Sequence, residues 1–232
     1  MGWRLYFSWL NFLKISQPIL VTLGSECRPE LAYNRYVLTL FLDTASNSHS
    51  LALCTEKELL RRVPLQTHGD TDLVPAIENI LREKNFTYKD LTNLVSVIGP
   101  GGFTSLRVGV TAINTLAYAL DLPSSGVHLS DMWAGRVRGR VGDPSEPEPA
   151  PQTPFLWLHS TRRTQIFVKG FGENGTITPI GIFELEDAAK LQGAYIGELI
   201  PEHQALLSGC TKILEAELKP IEKFLPEFWC TH

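Results

Sequence analysis

The sequence predicts an α/β protein built on a mixed sheet. Three observations carry that prediction. Residues 36–120 read in the order βββαβα, two segments in that stretch show helical apolar spacing, and a strand runs through a glycine turn directly into the second helix.

Tyr36–Leu42 is rich in leucine, β-branched and aromatic residues and ends in Asp43-Thr44-Ala45-Ser46, a polar turn signal. Ser50–Cys54 and Leu59–Leu65 read as two further strands, joined by a hairpin at Thr55–Glu58. From Leu73 the apolar positions are 73, 74, 77, 80 and 81, the spacing of an amphipathic helix. Thr71 or Asp72 can cap it, and Pro75 suits the first turn, where its missing N–H is not needed.

Leu94–Ile98 is a short apolar strand that leads into Gly99-Pro-Gly-Gly-Phe-Thr-Ser-Leu-Arg-Val-Gly109. Such a turn ahead of a helix can aim backbone N–H groups at an anion. It is not a P-loop, because no Gly-Lys-Ser/Thr follows, and its glycines do not make GxGxxG. Two readings stand side by side: a phosphate cradle, or a sharp turn in which glycine only permits positive φ.

In the helix after the turn, Leu106, Val110, Ile113, Ala117 and Leu120 should face the sheet, while Arg107, Thr111, Asn114 and Tyr118 form a polar row. Between them Ser105, Gly109, Ala112 and Ala119 make a small-residue stripe. That stripe fits an internal packing contact as well as a subunit interface.

A short strand at Ser125–His128 and a helical turn around Asp131–Gly135 follow. Residues 139–154 hold five prolines among glycines and acids, a linker or exposed loop. Phe155–Leu158 and Gln165–Lys169 read as a hairpin, and the remainder alternates short apolar runs with polar turns. The expected organisation is an extension over 1–35, a first lobe over 36–138, the proline-rich linker over 139–154 and a shortened second lobe over 155–232.

The chain has 232 residues, 44% of them hydrophobic, and a formal net charge of −4. That is enough apolar material for a real core. The acidic balance argues against unaided binding of RNA or DNA, which demands clustered Lys and Arg. Arg136, Arg138 and Arg140 form a short basic run of the kind that usually marks a solvated loop. Cys27, Cys54, Cys210 and Cys230 are scattered, which suits a reduced, cytoplasmic compartment better than a disulfide framework or a zinc site. Leu5–Leu13 is apolar and aromatic but lacks a small-residue cleavage site and is too short to cross a bilayer. It is expected to belong to an extension without catalytic role, and no membrane association is expected.

Leu40-Phe-Leu-Asp-Thr-Ala-Ser46, the hairpin strands, Gly99–Gly109 and Leu120-Asp-Leu-Pro-Ser-Ser-Gly-Val127 together resemble the bacterial TsaB/YeaZ family. The likeness runs in order over about residues 36–135. Phe103, Thr104 and Arg107 point to TsaB rather than to its larger paralogue TsaD. The resemblance implies an actin-like (RNase H-like) fold of two lobes. It also implies a role with TsaD and the ATPase TsaE in placing a threonylcarbamoyl group on N6 of a tRNA adenosine. In that family TsaB is the non-catalytic member, which supports TsaD through helices corresponding to Thr71–Arg82 and Thr104–Leu120. On this chain the implied partner surface is Val74, Ile77, Arg107, Gly109, Ala112 and Ala119. It admits a homodimer, and tRNA is expected to be met only through the complex.

Asp43, Thr44, Gly101 and Gly102 stand where actin-like ATPases hold nucleotide phosphate, so a vestigial nucleotide site is expected there. The second lobe should supply a paired carboxylate, which the family usually writes Asp-Ala-Arg, yet this chain has Ser160-Thr161-Arg162. The metal-binding HxxxH pair of TsaD is also broken, since His128 has Met132 four residues on, and a thioether is a poor ligand for a hard metal. Gly69 occupies the place of a histidine common in the family, with His68 one residue out. No catalytic residue, metal or required cofactor is expected of this chain, and ATP with magnesium would belong to the partner subunit. The competing expectation is a stand-alone actin-like small-molecule kinase or ATPase that holds nucleotide between its lobes.

Overall fold

The computed structural model describes residues 37–65, 73–138, 154–160, 162–172, 175–215 and 218–230. The expected extension, the Thr71 or Asp72 cap, His68, Gly69, Arg140, Thr161 and all of the proline-rich linker except Pro154 lie outside these.

The first sheet has the strand order β3-β2-β1-β4-β5. β1 (Leu38–Asp43), β2 (Ser50–Thr55) and β3 (Leu59–Pro64) form an antiparallel meander, and β4 (Asn93–Gly99) and β5 (Ser124–His128) extend it in parallel from β1. β1 is buried at all six positions, as a central strand covered on both faces must be. Its alternation splits the core: Leu38, Leu40 and Leu42 face one side and Phe41 the other.

The Leu38/Leu40/Leu42 side is covered by α1 (Leu73–Glu83) and α2 (Phe103–Leu120), which bury Leu73, Ile77, Ile80, Leu81 and Ile113 against it. α2 stops where Asp121 turns left-handed at φ 53°, and the Leu122 N–H closes back onto the Ala117 carbonyl. Pro123 then prevents continuation.

The second sheet, β10-β9-β6-β7-β8, is also mixed. β6 (Phe155–Ser160) and β7 (Gln165–Gly172) form the expected hairpin, β8 (Gly175–Glu184) adds an antiparallel edge, and β9 (Gly193–Glu198) and β10 (Cys210–Lys212) add parallel strands on the other flank. α4 (Leu185–Ala188) and α5 (Pro201–Leu206) lie between those strands in sequence. Two mixed sheets with their helices make the two-lobed actin-like arrangement that the resemblance implies.

α3 (Leu129–Arg138) and α6 (Ile221–Cys230) fill the space between the sheets. Their residues Leu129, Met132, Val137, Phe224 and Leu225 share one buried cluster with Phe41, Val95 and Val97 of the first sheet and Phe155, Trp157 and Ile196 of the second. The helix that ends the described chain thus packs back onto β2 and β3.

Candidate functional site

The loop after β1 is fixed by its own aspartate. Asp43 is 4% exposed, and its Oδ1 accepts the N–H groups of Ala45 (2.9 Å) and Ser46 (3.0 Å), an Asx-type turn. Against this loop lies the glycine turn. A side chain on Gly101 would sit 2.6 Å from the Ala45 carbonyl oxygen, so the two loops are in direct backbone contact. Gly109, inside α2, faces the same loop, where a Cβ would meet Thr44 Cγ2 at 3.1 Å and its Oγ1 closer still. Thr44 is buried and its hydroxyl has no partner.

Of the four residues expected to hold phosphate, Gly101 packs tightly against the Asp43–Thr44 loop, while Gly102 is exposed and a Cβ there would meet only Ser105 Oγ at 3.4 Å. Asp43 lines the cavity of about 230 Å³ next to this loop, whereas Thr44, Gly101 and Gly102 do not. Gly101 and Gly109 serve close approach of two chain segments, while of the motif's glycines only Gly99, at φ 111°, shows the positive φ of the second reading. α2 begins at Gly102 without a side-chain cap.

The cavity shows what sequence reasoning missed. Opposite Asp43 stands Glu198, the last residue of β9, from the second sheet. Its Oε2 accepts the Asn47 N–H at 2.7 Å, and its carboxyl is held above the usual carboxylate range, first by burial and then by repulsion from Asp43. The β9 strand can bring it there because Gly197, at φ 115°, takes a backbone conformation closed to most side chains. His159 lies 3.7 Å behind, 1% exposed and stacked on Trp157. Burial lowers its pKa to about 4, so it is neutral, and its Nδ1 has no hydrogen-bond partner. The paired carboxylate is absent from the turn after β6, where Ser160-Thr161-Arg162 stands, and comes from the neighbouring parallel strand instead, in register His159 with Glu198.

Ser160 has another task. Its Oγ lies 2.8 Å from His203 Nδ1, and His203 Nε2 lies 2.8 Å from the Arg163 carbonyl. A carbonyl only accepts, so Nε2 carries the proton and Nδ1 accepts the Ser160 hydroxyl. The Ile200 N–H donates to the same Oγ at 3.2 Å. Both side chains are sealed, and the pair ties β6 to α5 rather than presenting a nucleophile.

The basic run proves partly internal. Arg136 is 7% exposed, pairs with Glu215, donates to the Lys219 carbonyl at 2.9 Å and lies over the Trp133 ring. It anchors α3 to the segment before α6, which corrects the solvated-loop expectation for this residue. Asp131 pairs with Lys169 at 2.5 Å, and His128, exposed, ends β5. Among the described residues no three His, Cys, Asp or Glu side chains are grouped to hold a metal ion, and no helix is long and apolar enough to cross a membrane.

The outward faces of α1 and α2 form the other candidate site. Val74 is 58% exposed, Phe103 69% and Tyr118 92%, and the Arg107 guanidinium lies 5.5 Å from the Phe103 ring centre. The polar row Arg107, Thr111, Asn114 and Tyr118 is exposed as expected. Of the expected partner surface, Val74, Arg107 and Ala119 are exposed. The other three are corrected: Ile77 is a core residue at 1% exposure, Gly109 is spent on Thr44, and Ala112 is half-buried beside the α1/α2 core. Phe103 and Tyr118, the bulkiest exposed apolar groups here, were not in that set.

Residues 66–183 match the family described as TsaD: tRNA N6-adenosine threonylcarbamoyltransferase. The tRNA threonylcarbamoyladenosine biosynthesis protein TsaB of Bacillus subtilis (strain 168) is 32% identical over 101 residues, 43% of this chain and 44% of that protein. The match thus spans under half the length of that curated relative. YeaZ from Pseudomonas aeruginosa superposes with a TM-score of 0.60 at 15% identity, covering 84% of this chain and 92% of the other. A protein with similarity to peptidase YeaZ, also from Pseudomonas aeruginosa, superposes at 0.58 with 18% identity, over 84% and 91%. At such identities the structures speak for the fold.

Proposed function

This chain belongs to the TsaB/YeaZ branch of that family, and on this footing we propose that it is a supporting subunit in tRNA threonylcarbamoyladenosine biosynthesis, docking a TsaD-like partner through the outward faces of α1 and α2. The observation that carries the reading is the set of large apolar side chains left bare on those helices, Val74, Phe103 and Tyr118, on elements whose other faces are fully engaged in the core. Large apolar and aromatic groups left exposed on packed helices are a mark of a docking surface. In this reading the TsaE-like ATPase and the tRNA meet the chain through the assembled complex. No nucleotide is assigned to the chain itself. Support for that comes from the packed joint at Gly101 and from a cavity of about 230 Å³, below the roughly 300–1,000 Å³ of ordinary ligand sites.

The experiment is co-elution of the full chain with its cognate TsaD-like protein on size exclusion, with and without nucleotide and the TsaE-like ATPase. Wild type should shift into the complex peak. Tyr118→Glu and Val74→Glu should abolish the shift while leaving the unfolding midpoint unchanged, since both side chains stand mostly in solvent. Failure of wild type to co-elute under any of these conditions would sink the proposal.

A further inference from the structure

We propose that the cavity beside the Asp43 loop is a binding site for a small molecule carrying a protonated primary amine. Independent of the docking role, the inference rests on the charge and shape of the cavity. Asp43 and Glu198 reach it from opposite sheets, and both are largely removed from water. Each spends one oxygen on backbone N–H groups, Asp43 on Ala45 and Ser46 and Glu198 on Asn47. Among the described residues neither forms a direct ion pair with a lysine or arginine, although the charge of Lys212 acts on Glu198. His159, whose Nδ1 lies 3.7 Å from the Glu198 carboxylate, is neutral, and that Nδ1 is buried and unpartnered.

The cations that line the cavity are already occupied or peripheral. Arg136 is paired with Glu215 and the Lys219 carbonyl and lies over Trp133, so its charge is neutralised within the wall. Arg62 holds Ser50 Oγ at 3.2 Å through Nε and is exposed. Two partly buried carboxylates, with the positive charge of Lys212 acting on Glu198 but no direct ion pair among the described residues, carry a desolvation cost that an entering ammonium group would offset. A perturbed carboxyl group such as Glu198 facing a cavity is also a common mark of a functional site. Met132 and Trp133 supply an apolar wall for the rest of the ligand. The volume limits that body to about the size of an amino-acid side chain. The shared chemistry is the ammonium group. Its source is either a simple amine or a free amino acid, whose carboxylate Arg62 would then meet.

Titration calorimetry of the full chain tests this with four probes: 2-phenylethylamine, L-phenylalanine, the uncharged 2-phenylethanol and the anionic 3-phenylpropionate. One or both of the ammonium compounds should bind saturably at one site, at least tenfold more tightly than the alcohol or the acid. Tighter binding of phenylalanine than of the amine supports the amino acid as source, and the reverse supports the amine. Glu198→Gln keeps an acceptor for the Asn47 N–H and removes the charge, so it should weaken binding about tenfold or more. Asp43→Asn is the second variant, with its Oδ1 still able to hold the loop, and circular dichroism confirms that each is folded. The proposal is overturned by equal binding of the alcohol or the acid, by undiminished binding in the folded variants, or by no saturable binding of either ammonium compound. Co-elution with a TsaD-like partner does not depend on any of these outcomes.

Discussion

Replacing Gly109 with alanine sets two well-characterised effects against each other. In a helix interior, alanine is favoured over glycine by about 1 kcal/mol. Here, however, the new methyl would lie 3.1 Å from Thr44 Cγ2 and 3.2 Å from its Cβ, with Oγ1 nearer still. Thr44 is buried in a loop pinned by the Asp43 turn and the Gly101 contact, so it has little room to withdraw. Overpacking of this kind costs about 1–3 kcal/mol. Because Thr44 Oγ1 lies far inside van der Waals contact, the upper part of that range, about 2–3 kcal/mol, applies, and the net expectation for Gly109→Ala is a loss of roughly 1–2 kcal/mol. Thr44→Ala removes both the clash and a buried hydroxyl that has no partner, so alone it should change little. Combined with Gly109→Ala it should recover the whole loss and leave the helix gain, a coupling of about 2–3 kcal/mol. Equilibrium urea unfolding of the two single variants and the double variant measures this cycle. A Gly109→Ala protein as stable as wild type, or a vanishing coupling, would refute the close-packed joint. If Gly109→Ala instead lost partner binding with stability intact, Gly109 would belong to the docking surface after all.

His159 predicts an acid limb to stability. Its pKa falls from 6.5 to about 4 on folding, so its stabilisation is complete above pH 6.5 and is lost as pH falls towards 4, by roughly 3 kcal/mol in the limit. Urea midpoints of His159→Phe measured from pH 7 to pH 4 should fall less steeply than those of wild type; parallel slopes would count against a neutral buried imidazole. Glu198 has the opposite sign. Its folded pKa lies above 4.5, so Glu198→Gln should stabilise the protein at pH 7 and lose that advantage as pH falls to 4.5, which the same melts read. Arg136→Ala should cost about 2–3 kcal/mol by freeing the segment before α6, measured by thermal unfolding, and an unchanged midpoint would show that this anchor is dispensable.

Much of the first sheet was legible because its signals are local. Periodicity placed β1 to β4 and both covering helices within a residue or two at most ends, and Asp121-Leu-Pro marked the end of α2. Gly109 shows where pattern reading slipped: it stands three residues after Leu106 and four before Ile113, on the buried stripe, but lacks the side chain that would have announced its face. Tyr118 was placed correctly in the exposed row, yet a lone tyrosine among polar neighbours did not stand out as apolar surface. Glu198 was illegible for a different reason. Its position opposite Asp43 depends on the parallel pairing of β6 with β9 across some forty residues of chain, and no local spacing encodes that register. The short elements α4, α5 and β10 are likewise too brief for a period to emerge.

The shared cluster between the sheets also imposes an order on biosynthesis. On a ribosome, β1 to β5 emerge long before residues 221–230, yet one face of that sheet is covered only when α6 returns to β2 and β3. Throughout synthesis of the second half, Phe41, Ala52, Val95 and Val97 must wait with incomplete cover. Contacts of such sequence separation form slowly and leave apolar strands open to mispairing in the meantime. A nascent chain that has not yet made α6 is therefore a natural client for a chaperone, since α6 completes the cover of that face of the first sheet.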